Sequence, residues 1–277
     1  MYEPVVRAEE ANMAPSSADC FSHEIRYLLH SKVAYRPRPV IQSCSAYTPR
    51  LLRRNAAHFE YDPAPDYIFY GPNEIDWFLP SAFDSLSLLQ IMNNYEPVPG
   101  KMLLRKKKDR PPAVHLEEIR KEHSDFDCGI DVPKDSPVVW ITIDFQESAI
   151  GFLLKNMIKP TAAFIQVTLD NGKVFSNRIN PENCSVPFLL SPYLPSWNYL
   201  EFLFEPRTKE LPKVVKFSVY PYFYCFSYVG WSTPEPYFPS GGKWDRDIGS
   251  LFYKKGFTVH FYRMVRSSPE KDGDPRP

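Results

Sequence analysis

Two groups of residues have the types and spacing to do chemistry. The first lies in Arg38–Phe59, RPVIQSCSAYTPRLLRRNAAHF, and Ala64–Pro80, APDYIFYGPNEIDWFLP. Gln42, Ser43, Ser45, Tyr47 and Thr48 follow a short apolar run and lead into a helix start, where free main-chain amides can hold an anion. No GxGxxG or Walker sequence brings backbone close to a phosphate, so capping and local hydrogen bonding are the stronger reading of these hydroxyls. Asp76, with Glu74 nearby, falls just past the carboxyl end of an expected strand, the edge where open α/β sheets bind ligands or metals. A loop acid that satisfies backbone amides is the stronger reading there too, and glycosidic chemistry at Asp76 would need a second carboxylate across the bond. The second group is the loop 230–249, GWSTPEPYFPSGGKWDRDIG. Trp231, Tyr237, Phe238 and Trp244 could stack on sugar faces while Asp245 and Asp247 accept hydroxyl hydrogen bonds. Against this stands a long loop that folds its aromatics back onto a sheet.

Other reactive side chains are scattered. The five Cys (20, 44, 128, 184, 225) form no CxxC and no zinc spacing. The six His form no dyad with Cys or Ser that spacing reveals, and His58, in a helix beside Phe59, reads as a boundary residue. No catalytic residue, metal or cofactor is expected. The basic run Arg105–Lys108, with Arg110, could touch lipid phosphates, although a solvated strand exit is the stronger reading. Balanced charge, 33 basic against 33 acidic residues, gives no global pull toward nucleic acid. No run is long and apolar enough for a transmembrane helix, and the N-terminus lacks a secretory signal pattern.

The elements that must position these groups divide the chain in two. Residues 1–21 are polar and expected to be disordered. Over 22–105 the pattern predicts a helix at His23–Ala34, a strand at Pro39–Ser43, a helix capped by Thr48 with Pro49 in its first turn, a strand at Tyr67–Tyr70, a helix at Asp84–Tyr95 and a strand at Met102–Arg105. Helices alternating with short apolar strands imply a small parallel α/β sheet with right-handed crossovers. Residues 106–136 are charged and proline-broken, a linker or a bridging helix at Val114–Glu122. From 137 to 266 strands are expected at Val138–Phe145, Ala162–Leu169, Val174–Ile179, Tyr199–Glu205, Val214–Tyr220, Tyr222–Val229 and Phe257–Met264, with a short helix at Ser148–Met157. Asn171-Gly172 is a hairpin signal. This half reads as an antiparallel β-sandwich-like domain, followed by a disordered tail over 267–277.

The block RPxxQSxSAYTPxLxxxNAxxF, then APDYIxF, IDxxLP, YEPV and LLLR, with PFLLSPYL at Pro187–Leu194, resembles the soluble C-terminal region of large bacterial integral membrane proteins. Those proteins are similar to glycosyltransferases and polymerases of cell-surface polysaccharide. The matching residues include Arg38, Pro39, Gln42, Ser43, Ser45–Pro49, Asn55, Phe59, Pro65–Ile68, Asp76, Tyr95–Val98 and Leu103–Arg105, and the resemblance covers about residues 24–195. Cys44 stands where the pattern has an aromatic, and every membrane helix is missing, so transferase chemistry does not carry over to these residues. The resemblance implies a non-catalytic accessory domain on the extracytoplasmic face of a bacterial membrane. Its partner would be a membrane protein or parent chain, or the growing glycan. A cytoplasmic location stays open, because this chain shows no signal peptide. The alternatives are a free-standing carbohydrate-binding protein and a glycan-active enzyme using Asp76.

Overall fold

The computed structural model describes residues 16–21, 25–29, 33–62, 64–71, 78–155, 162–222 and 252–267. They are mostly β, in three sheets with few helices. In the N-terminal part the elements are β1 (Ser17–Phe21), α1 (Arg26–Leu29), β2 (Ala34–Tyr35), α2 (Pro49–His58), β3 (Tyr67–Tyr70), α3 (Ser85–Asn94), β4 (Tyr95–Pro97) and β5 (Leu103–Lys106). They build one five-stranded sheet in the order β2-β1-β3-β5-β4.

This sheet corrects several expectations. It is mixed, not parallel: β1 runs parallel to β2 and β3, while β5 is antiparallel to β3 and β4. The reason is the turn between β4 and β5. The crossover through α3 delivers β4 in the same sense as β3, and a tight reversal with Gly100 at φ 72° folds β5 back into the place between them. The segment expected to be disordered contributes β1, a strand near the middle of the sheet with Ala18, Asp19, Cys20 and Phe21 buried. Of the helix expected at His23–Ala34, the described residues show only one turn, Arg26–Leu29, before Ala34 joins a strand. Pro39–Ser43 is no strand. The Asn55 side chain takes both backbone groups of Val40, accepting from its N–H at 2.8 Å and donating to its carbonyl at 3.1 Å, and so occupies the place of a strand partner.

The remainder comprises β6 (Val114–Ser124), β7 (Ile130–Asp131), β8 (Val139–Glu147), α4 (Ala149–Lys155), β9 (Ala162–Leu169), β10 (Val174–Ile179), β11 (Phe188–Ser191), β12 (Val214–Tyr222) and β13 (Tyr253–Arg266). Two four-stranded antiparallel sheets result, β10-β9-β12-β7 and β11-β8-β13-β6. Asn171-Gly172 turns β9 into β10, with Gly172 at φ 80°. The segment expected as a linker or bridging helix holds β6, an 11-residue edge strand. Its charges are what made it read otherwise, yet they pair across the sheet: Glu117 with Arg263, and Glu118 with His260. Charged side chains on an edge strand also discourage pairing with other chains. Tyr199–Glu205 is likewise not a strand: Tyr199–Leu203 belongs to the 3₁₀ stretch Trp197–Leu203, whose Trp197, Leu200 and Leu203 repeat every third residue and turn inward. The strand expected at Tyr222–Val229 lies almost wholly outside the described residues, as does the tail beyond Ser267.

Of the four hydrophobic clusters among the described residues, the two largest join these sheets. Ile141, Ile143, Val259 and Phe261 of one four-stranded sheet share a core with Ile165, Val167, Phe217 and Val219 of the other. The opposite side of the first sheet supplies Trp140 and Leu189 to a second core, which they share with Phe21, Phe59, Ile68, Leu88, Ile91 and Leu104 of the N-terminal part.

β1 is anchored at its start by Asp66, whose Oδ2 accepts from the Ser17 N–H and hydroxyl, each at 2.8 Å. Burial alone would push this carboxyl up, but the Ser17 hydrogen bonds with the Lys106 and Arg36 charges outweigh it and hold it below its ordinary value. A carboxyl depressed on folding lends stability above its unfolded pKa and withdraws it as pH falls through the folded value. Hydrogen-exchange protection of Ser17–Phe21 is therefore expected to fall as pH drops below about 4, and Asp66→Asn to remove that dependence. Protection of β1 that stays flat through this range in the unaltered protein would contradict the assignment.

Candidate functional site

The densest polar cluster among the described residues is buried behind the resemblance block and is centred on Arg38. Its residue is 1% exposed. Nη1 donates to the Cys20 carbonyl at 2.7 Å and lies 3.4 Å from Asp19 Oδ2. Nη2 donates to Ser43 Oγ at 2.9 Å. Nε stands 3.3 Å from Asp84 Oδ2, at an angle too poor for a hydrogen bond. The guanidinium carbon also sits 5.2 Å from the Phe21 ring centroid, a cation–π distance. Asp19 in turn lies 3.4 Å from His58 Nε2, and its Oδ1 accepts from the Cys20 N–H at 2.8 Å.

Each partner arrives by a local rule. Thr48, in extended conformation, accepts from the Leu51 N–H at 3.3 Å and with Pro49 starts α2. From that start, helical spacing carries Asn55 and His58 to the inner face. Asp84 precedes α3 in a left-handed conformation, φ 43°, which Asp tolerates better than most residues. There Asp84 Oδ2 accepts from Asn55 Nδ2 at 2.8 Å and Oδ1 from Ser87 Oγ at 2.6 Å. Burial pushes the Asp84 carboxyl up against Arg38, Ser87 and Asn55, which favour its charge. One guanidinium thus ties β1, the turn before α2 and the start of α3, and through Asp84 and Asp19 it reaches Asn55 and His58 of α2.

The predicted site residues are only partly brought together. Ser43 turns inward to Arg38, whereas Gln42 is exposed, its side-chain oxygen 3.4 Å from the Ser45 hydroxyl. Tyr47 is 59% exposed, and its carbonyl accepts from Asn180. Asp76, Trp231, Trp244 and Asp245 lie outside the described residues, as do Glu74, Tyr237, Phe238 and Asp247. The basic run is largely engaged with its own fold. Arg105 pairs with Glu96, Lys106 donates to the Ala64 carbonyl and Lys107 to the Asn93 carbonyl. Sequence reasoning missed Arg38, Asp19, Asn55 and Asp84 as one unit, and placed His58 at a boundary without its partner. The available signal was Arg38 itself, a cation between two prolines at the head of an apolar run.

Among the described residues no group of His, Cys, Asp and Glu is arranged to hold a metal, and no helix is long and apolar enough to cross a membrane. Comparison of the chain with protein-family models, curated proteins and solved structures gives no match.

Breaking a buried ion pair strands a charge away from water. Arg38→Met is expected to cost about 3–5 kcal/mol, because Asp19 and Asp84 lose their shared cation. Asp84→Asn keeps a residue that tolerates the left-handed backbone and is expected to cost clearly less than Asp84→Ala. Urea denaturation of the three variants checks both statements; a loss under about 1 kcal/mol for Arg38→Met would remove the cluster's central role.

Proposed function

We propose that this chain is an accessory binding domain at the outer face of a bacterial membrane, working beside a polysaccharide-assembling membrane protein and contacting that protein or its glycan. The observation that carries the reading is what the resemblance residues do. Arg38, Ser43, Thr48 and Asn55 bond to one another's segments, and the Tyr95 hydroxyl donates to the Pro65 carbonyl at 2.7 Å. Side chains committed in this way specify a scaffold, so what the chain has in common with that family is a folded support. Residues that such a support leaves outward are its means of contact, and Tyr47, like Gln42, is an outward member of the block.

The core common to the two four-stranded sheets supports reading them as a β-sandwich. In chain order, the aromatic loop 230–249 joins β12 of one sheet to β13 of the other. Loops between sandwich strands commonly carry binding residues, and Trp231, Trp244 and Asp245 suit a sugar surface.

The test has two arms on the intact chain. On an array of bacterial surface polysaccharides, wild type is expected to be retained, and Trp231→Ala with Trp244→Ala to weaken retention at least ~10-fold. In membranes of the source cell, a photo-crosslinker at Tyr47 is expected to capture a multi-span protein of polysaccharide assembly, while one at Val174 does not. Absence of both glycan retention and that crosslink would overturn the proposal.

A further inference from the structure

The N-terminal sheet reverses its strand order at β1. From β1 the chain first adds β2 on one side and then β3 on the other, both parallel to β1. In an open sheet such a reversal leaves a crevice outside the carboxyl ends of the strands, where ligands bind. Here those ends are Phe21 of β1 and Tyr70 of β3. The 3₁₀ stretch Trp197–Leu203 borders them. Trp197 packs edge-on against Phe21 with ring centroids 4.7 Å apart, and Leu200 and Leu203 join the core that holds Tyr70. Burial pushes the Tyr70 phenol up; Glu201 adds to that and Arg207 opposes it, so both charges stand close to the end of β3.

Side chains three apart in a 3₁₀ helix share a face. With Trp197, Leu200 and Leu203 turned inward, the outer rows are Asn198 with Glu201 and Tyr199 with Phe202. The Tyr199 and Phe202 rings are 5.6 Å apart, and Tyr199 is 43% exposed. Arg207 lies over Phe202, its guanidinium carbon 3.6 Å from the ring centroid. Two carboxylates brace it: Nε and Nη2 donate to Glu210 at 3.1 and 3.4 Å, and Nη1 donates to Glu201 at 2.7 Å. These bonds use three of the five guanidinium N–H groups, and among the described residues the other two stay open to a ligand. An aromatic face thus stands beside a fixed row of donors and acceptors. A sugar ring calls for that combination, since its C–H face can lie on the aromatic ring while its hydroxyls both donate and accept. From Trp197 to Leu211 the charged residues are Glu201, Glu205, Arg207, Lys209 and Glu210, three acids against two bases. That balance suits an uncharged ring better than a phosphate or a uronate.

We propose that the surface of Tyr199, Phe202 and Arg207 is a subsite for an uncharged pyranose, stacked on Tyr199 and hydrogen-bonded by Arg207, Glu201 and Glu210. The inference deepens the glycan contact proposed above and rests on it for its setting, though not on the loop 230–249. The test is saturation-transfer NMR of the intact chain with the methyl β-glycosides of glucose, galactose and N-acetylglucosamine, and with methyl β-glucuronide as the charged control. At least one neutral glycoside is expected to bind, and to bind more tightly than the glucuronide. Tyr199→Ala is expected to weaken that binding at least ~10-fold, and Tyr199→Phe to keep it within ~2-fold, with the thermal transition unmoved in both. Glu210→Gln, at a side chain 53% exposed, is expected to weaken it at least ~3-fold. Trp231→Ala with Trp244→Ala is expected to leave it unchanged. No binding of a neutral glycoside, a preference for the glucuronide, or full binding by Tyr199→Ala overturns the inference. So does binding that the tryptophan double variant loses, which would assign the sugar to the loop. Failure here with array retention or the Tyr47 crosslink intact removes only this subsite; glycoside binding without either contact removes the accessory-domain reading instead.

Discussion

The N-terminal part depends on placing one guanidinium where water cannot reach it. Arg38 could not be buried alone, because an unpaired charge in a low-dielectric interior is among the most unfavourable things a fold can contain. Every element around it is arranged to prevent that: a strand brings Asp19, a left-handed helix start brings Asp84, a 3₁₀ turn brings Ser43, and the Cys20 carbonyl takes the shortest bond. The cluster is not a source of great net stability, since desolvation of buried ions offsets most of their attraction. Its effect is selective: arrangements of the four segments that leave any partner out are strongly disfavoured.

That requirement explains which parts of the fold were legible in the sequence. Elements with a local cause were readable: Thr48-Pro49 as a helix start, the apolar stripe of α3, Tyr67–Tyr70, and the hairpin at Asn171-Gly172. Elements with a distant cause were not. Asp19 makes β1 look polar, and Arg38 and His58, many residues later, supply the charges that its burial calls for. Val40 looks like a strand residue because its backbone is satisfied as one would be, although its partner is an amide side chain. β6 looks like solvated linker because its charges find their partners on β13, more than 130 residues downstream.

The candidate site was less legible for a related reason. Ser43 and Gln42 are adjacent and were read together, yet a single turn sends one toward the buried cation and leaves the other exposed. Side-chain type announces what a residue can do; only the path of the chain decides whether it meets a ligand or a neighbour. α4 carries the same lesson in reverse. Its composition is apolar, yet Ile150, Phe152 and Leu153 are more than half exposed while Gly151 is buried.

Trp140 and Leu189 belong to one sheet by hydrogen bonding and to the N-terminal part by packing. The N–H of Ser267, the last described residue, bonds the Ala113 carbonyl at the head of β6 and extends the pairing of β13 with β6. The consequence is genetic as much as mechanical. A break anywhere in 106–136 would leave each half with an uncovered aromatic face, so gene fission there is a poor route for this architecture. The portable piece, in fusion or recombination, is the whole run from β1 to β13.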